Sequence, residues 1–151
     1  MENISSNLRT IKRLKENKCS EVPEKNGIYV VISPENFAVE FAGSAFDLLH
    51  AELKEYKKYC IKELEAKFCQ SDRQVLYIGK ASGKGGLKKR IRQYIGMKFN
   101  HRGGRAIWHI KDSHELLIGY CECENPEEKE KEMLKSYKDK HSVYPVANQR
   151  R

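Results

Sequence analysis

The chain has 151 residues, 39% hydrophobic and 33% charged, with 29 Lys and Arg against 21 Asp and Glu and a formal net charge of +8 at pH 7. That length fits a single domain over residues 1–151 with a core of its own, and no apolar run approaches the roughly 20 residues that cross a bilayer. The first 18 residues lack the apolar centre of a secretory signal, and an odd count of five cysteines points to reduced thiols and a cytoplasmic setting.

Taken in order, residues 5–18 place Leu8, Ile11 and Leu14 at helical spacing behind Ser6 as an N-cap. Pro23 and Asn26-Gly27 break that pattern, and Ile28-Tyr29-Val30-Val31-Ile32 reads as a buried strand. After the turn at Ser33–Asn36, the alternation Phe37-Ala38-Val39-Glu40-Phe41 predicts a returning strand. Residues 44–68 are helical in pattern, with Phe46, Leu49, Leu53, Tyr56, Cys60 and Leu64 on one stripe. Val75–Gly79 is the next strand, followed by the glycine-rich Ser82–Gly86 and a basic helix from Leu87 to Tyr94. Ala106–Ile110 and Leu116–Tyr120 read as two more strands, and Asn125-Pro126 opens a helix to Lys140 whose first turns carry glutamates, as the helix dipole favours. The fold class expected is α/β (α+β), a small, mainly antiparallel sheet flanked by helices.

The charge is not evenly spread. Residues 77–112 hold ten basic side chains and one acid, Asp112, whereas residues 1–27, 28–76 and 113–151 carry +2, −2 and −1. A field this concentrated, interleaved with Tyr77, Tyr94, Phe99 and Trp108, suits a polyanion, nucleic acid first. Lys84, Lys88, Lys89, Arg92, Arg102 and Arg105 are the candidate nucleic-acid contacts.

Five short patterns follow one another between residues 27 and 148: Gly27-Ile28-Tyr29; Tyr77-Ile78-Gly79 with Lys80 behind it; Leu87-x-x-Arg90; Glu130-x-x-Met133-Leu134-x-x-Tyr137; and Pro145-x-x-Asn148. In this order they resemble the GIY-YIG nuclease superfamily. Tyr29 and Tyr77 lie 48 positions apart, so residues 44–68 read as a helical insertion of the kind found in restriction-type members. Tyr94 stands where the family often has His, and the run from Tyr137 to Pro145 is longer than in compact members. His101-Arg102-Gly103-Gly104-Arg105 is similar to a segment of a stand-alone subgroup.

The resemblance implies a metal-dependent endonuclease acting on DNA and leaving 5′-phosphate and 3′-hydroxyl ends. Its catalytic residues would be Tyr29, Tyr77, Lys80, Arg90, Glu130 and Asn148. Phosphodiester hydrolysis needs an activated water and neutralisation of charge on phosphorus and the leaving oxygen. Glu130 would hold one Mg²⁺ or Mn²⁺ through oxygen, and Arg90 would offer phosphate a fork of donors that Lys cannot copy. Tyrosine is a poor base at neutral pH unless cations stabilise the phenolate, so Tyr77, three residues before Lys80, is favoured over Tyr29. Asn148 would orient the site as a polar group. Single residues have plainer readings: strand tyrosines are ordinarily packing groups, and Glu130 stands among Glu127, Glu128 and Glu132.

Two alternatives share the same pattern, a non-catalytic nucleic-acid-binding module of this fold and an RNA-directed nuclease. The cysteine spacings Cys60–Cys69 and Cys121-x-Cys123 do not match the paired ligands of a zinc module. Gly83–Gly86 includes Gly-Lys but lacks the spacing of a nucleotide-binding loop.

Overall fold

The computed structural model describes residues 4, 7–42, 60–98 and 103–148. In chain order these form β1 (Arg9–Thr10), α1 (Ile11–Glu16), β2 (Gly27–Ile32), α2 (Ile61–Gln70), β3 (Val75–Ala81) and α3 (Gly86–Ile95). Two 3-10 turns, Arg105–His109 and Ser113–Glu115, lead into β4 (Leu117–Glu122) and α4 (Pro126–His141). The class is α+β: four strands pair antiparallel in the order β1-β4-β2-β3, with helices packed on the sheet. No helix among the described residues is long and apolar enough to cross a membrane.

β2 is buried along its whole length, which is why it reads as an unbroken apolar run. Alternate side chains divide between two cores. Tyr29 and Val31 point with Tyr77, Ile118 and Tyr120 toward α1, α3 and the first 3-10 turn, through Ile11, Leu14, Leu87, Ile91, Tyr94 and Trp108. Ile28, Val30 and Ile32 point with Val75 and Ile78 the other way, onto Leu134 and Tyr137 of α4.

β3 is an edge strand, and two features set it. Val31 opposes Tyr77 while Ile32 opposes Val75, so Leu76 is an extra residue, a bulge of the kind that re-aims neighbouring side chains. Its outer edge is covered by residues 147 and 148. The Ala147 N–H donates to the Leu76 carbonyl at 2.9 Å, and the Asn148 side chain accepts from the Ile78 N–H at 3.0 Å and donates to the Ile78 carbonyl at 2.9 Å.

Several expectations are corrected. The first helix is shorter than 5–18 and starts after β1, with the Thr10 hydroxyl accepting from the Arg13 N–H as its cap; Ser6 lies outside the described residues. Leu8 packs on the α4 side, so its spacing to Ile11 and Leu14 is not that of one helix face. Residues 37–40 are irregular; Phe41 forms an isolated antiparallel bridge with Ile110, and the Glu40 carbonyl accepts from the Lys111 N–H at 2.9 Å. Their alternation comes from Phe37, Val39 and Phe41 leaning onto the main core, not from a strand. Residues 105–109 are a 3-10 turn rather than a strand, because Gly104 enters it with φ +73° and the N–H groups of Ile107 and Ile110 bond locally. The helix expected over 44–68 does not run through Cys60, which is extended and exposed rather than on an apolar stripe; α2 starts after it at Ile61, and 43–59 lie outside the described residues.

Candidate active site

An open cleft of about 470 Å³ runs along the free edge of β3. Tyr77 and Lys80 come from β3, Ser82 and Lys84 from the loop after it, Gly86, Lys89, Arg90 and Gln93 from α3, and Glu130 from α4. Six residues singled out in the sequence therefore share one surface: Tyr77, Lys80, Lys84, Lys89, Arg90 and Glu130. Glu130 is 7% exposed, whereas Glu127, one turn earlier, is exposed and reaches out to the Lys80 ammonium at 3.4 Å. That contrast separates the two carboxylates in a way their spacing alone does not.

Tyr29 stands behind the cleft with no exposed surface. The rings of Tyr29, Tyr77 and Tyr94 form a triangle with centroids 5.5–6.0 Å apart, and Trp108 stacks 5.5 Å from Tyr94. Burial pushes the Tyr29 hydroxyl well above its ordinary pKa; neighbouring Tyr77 adds to this and the Arg90 guanidinium opposes it without overcoming it. Tyr29 is thus held protonated. The Tyr94 hydroxyl donates to the Gly104 carbonyl at 2.6 Å, which fastens the 103–104 loop over the rings.

The glycines explain themselves by what a side chain would strike. A Cβ on Gly79 would lie 2.6 Å from Cζ of Tyr29 and 2.7 Å from Cε2 of Tyr77, so the bare backbone is what lets both rings lie across β3. At Gly27 it would collide with the Cys121 carbonyl and crowd Leu87 of α3. At Gly103 it would run into the Tyr77 hydroxyl.

The glycine loop is not an anion cradle. The first N–H groups of α3, the ordinary donors to a bound phosphate, are taken up: Gly86, Leu87, Lys88 and Lys89 donate to the carbonyls of Gly83, Lys25, Pro23 and Gly85. An anion entering the cleft would meet the side chains of Lys80, Lys84, Lys89 and Arg90.

Other expected residues lie elsewhere. Asn148 is buried against the backbone of β3, not in the cleft lining; it fixes Ile78, between Tyr77 and Gly79, and so is a positioning residue. Its own carbonyl accepts from the Lys67 ammonium of α2. Lys88 and Arg92 do not line the cleft; helical spacing sets them on the flank of α3 away from Arg90, and burial pushes the Cys19 thiol up while these two cations pull it down. Arg105 is half-buried at the start of its 3-10 turn, and Arg102 lies outside the described residues. Ser82 and Gln93 line the cleft without having been singled out. The spacing Gly86, Lys89, Arg90, Gln93, one face of a helix, was the signal for Gln93.

Glu130 supplies a hard oxygen donor suited to Mg²⁺ or Mn²⁺. Among the described residues no group of three or more His, Cys, Asp or Glu gathers, so such an ion would take most of its shell from water and phosphate. Lys80, Lys84, Lys89 and Arg90 line the same cleft, so a phosphate bound beside such an ion would offset the repulsion between it and these cations.

No family model matches this chain, and no curated protein or solved structure matches it either.

Proposed function

We propose that this protein is a divalent-metal-dependent endonuclease that hydrolyses DNA phosphodiester bonds, with the GIY-YIG arrangement suggested by its motifs. The observation that carries the reading is convergence. Tyr77, Arg90 and Glu130, brought from three elements and up to 53 positions apart, line one cationic cleft. A packing tyrosine, a surface arginine and a solvated glutamate would have no reason to meet.

In this reading Arg90 and Lys84 bind the non-bridging oxygens of the scissile phosphate and neutralise charge as it develops. A water oxygen bonds to phosphorus as the bond to O3′ breaks and O3′ takes a proton from solvent water, giving a 5′-phosphate and a 3′-hydroxyl. Tyr77, at the cleft surface and close to Lys80 in the chain, takes the water's proton as phenolate; Tyr29 stays protonated and fixes the Tyr77 ring and Arg90. A divalent cation such as Mg²⁺ or Mn²⁺ would be held by Glu130 and would supply Lewis-acid stabilisation of the developing charge.

The test is cleavage of supercoiled plasmid and of linear single strands with Mg²⁺, Mn²⁺ or EDTA, by the wild type and by Glu130→Gln. Nicking that needs metal and is lost in Glu130→Gln, with DNA binding kept, is the expected result. Wild-type cutting by Glu130→Gln, or binding with no metal-dependent cutting at all, would overturn it; the second outcome is that of a binding module. Cutting of RNA alone would reassign the substrate.

A further inference from the structure

We propose that α3 seats in the major groove of a B-form DNA duplex, its two basic flanks on the phosphates of opposite strands, so that the substrate is double-stranded. This rests on the endonuclease reading above. Around a helix at 3.6 residues per turn, successive residues are about 100° apart. Lys88 and Arg92 therefore fall one above the other on one flank, and Arg90, two residues from each, lies about 160° away on the opposite side. The surroundings agree. Arg90 lines the cleft with Glu130, while Lys88 and Arg92 are absent from that lining.

Between the flanks runs a crest of Lys89 and Gln93, opposite the buried Leu87, Ile91 and Tyr94 that hold α3 to the sheet. α3 carries no acidic residue. A helix is about 10–12 Å across and the B-DNA major groove about 12 Å wide, so the two flanks of an inserted helix meet the two phosphate walls while the crest faces base edges. A cleft-only mode would leave Lys88 and Arg92 turned away from the nucleic acid. The cleft-side wall then holds the strand that is cut, and the Lys88–Arg92 wall belongs to its complement. An A-form RNA duplex has a major groove too narrow for a helix, so the same geometry discriminates against it.

The test compares a DNA duplex of about 30 base pairs, its single strand and the matching RNA duplex, bound in EDTA to block cutting and followed by fluorescence anisotropy over a salt series. For Lys88→Gln/Arg92→Gln on duplex DNA, affinity falls about tenfold or more and the slope of log K against log salt shrinks by about 1.8, two phosphate contacts' worth. The single-strand slope stays as in wild type, and wild type binds the RNA duplex about tenfold or more weaker than the DNA duplex. Phosphate ethylation interference with the wild-type protein, which needs no variant to fold, should mark both strands across one major groove. Equal losses on duplex and single strand, no loss on the duplex, interference confined to one strand, or equal affinity for the RNA duplex would each overturn the placement of α3 while DNA cleavage stood. Failure of the wild type to bind any DNA would overturn the endonuclease reading with it.

Discussion

Replacing Asn148 with alanine tests whether the edge of β3 is held where the cleft needs it. The side chain makes two buried hydrogen bonds to one residue, accepting from the Ile78 N–H at 3.0 Å and donating to its carbonyl at 2.9 Å. Alanine leaves both backbone groups without that partner, each worth about 1–3 kcal/mol when buried. Water reaching a sheet edge recovers part of this, so the loss expected is about 2–4 kcal/mol, on the order of a 10 °C fall in melting temperature for a chain this long. Asn148→Asp is expected to do no better than alanine. It keeps the acceptor facing the N–H but sets a carboxylate oxygen against the Ile78 carbonyl. Urea unfolding of wild type, Asn148→Ala and Asn148→Asp measures the effect as a shift in midpoint at constant slope. Tyr77 and Gly79 flank Ile78, so we also predict that cleavage by either variant falls under conditions where the protein remains folded. A loss below about 0.5 kcal/mol in both variants would refute the account of residues 147 and 148 as the cover of the strand.

The remaining predictions concern the rings and their protons. Gly79→Ala forces a methyl group into Tyr29 and Tyr77 at 2.6–2.7 Å; we predict about 1–3 kcal/mol of destabilisation by denaturant melts and a larger loss of cleavage than stability alone explains. In single-turnover pH–rate profiles, Tyr77→Phe removes the alkaline-side gain in rate, whereas Tyr29→Phe lowers the profile without changing its shape; unchanged rate and shape for Tyr77→Phe would remove it from the mechanism. The Tyr137 hydroxyl, which donates to the Asp72 carboxylate at 3.0 Å, is pushed up to about 12, chiefly by burial. Because the folded value is raised, its contribution is complete below the unfolded value near 10 and is lost as pH climbs to about 12. Tyr137→Phe should flatten the decline in stability over that window by at most about 1.4 kcal/mol per pH unit, read from urea midpoints at pH 9 to 12.

How much of this was legible in the sequence depends on how local the cause is. β2 and β3 stand close to where their apolar runs put them, and α4 begins at Pro126 as Asn125-Pro126 and the glutamates after them indicated. Motif register singled out Tyr77, Lys80, Arg90 and Glu130, and the four line one cleft whose geometry the register does not give. What was not legible depended on partners distant in sequence. The 37–41 segment alternates because three of its side chains find the main core, a contact no local rule separates from a strand. Asn148 reads as a polar site residue, yet its amide matches the outer edge of a strand 70 positions earlier. Lys88, Lys89 and Arg92 look equivalent as a run of cations, and the structure turns Lys89 into the cleft and the other two away.

The edge position of β3 explains why the cleft draws on both sides of the sheet. Tyr77 faces the α3 side, in register with Val31, while Lys80 pairs with Ile28 and faces α4, where Glu127 and Glu130 lie. In a central strand the pleat would keep these sets on opposite faces, separated by a layer of backbone. At an edge they can meet around the rim, provided the strand's outer hydrogen bonds are dealt with. Residues 147 and 148 cover that edge at Leu76 and Ile78, and the cleft takes in the stretch just beyond, at Lys80 and Ser82. The bulge at Leu76 and the bare backbone of Gly79 then let Tyr77 lie against Tyr29. Arg90 and Glu130, on helices packed against opposite faces, are brought to one cleft by the same strand, and a sheet extended by one more strand beyond β3 would part them.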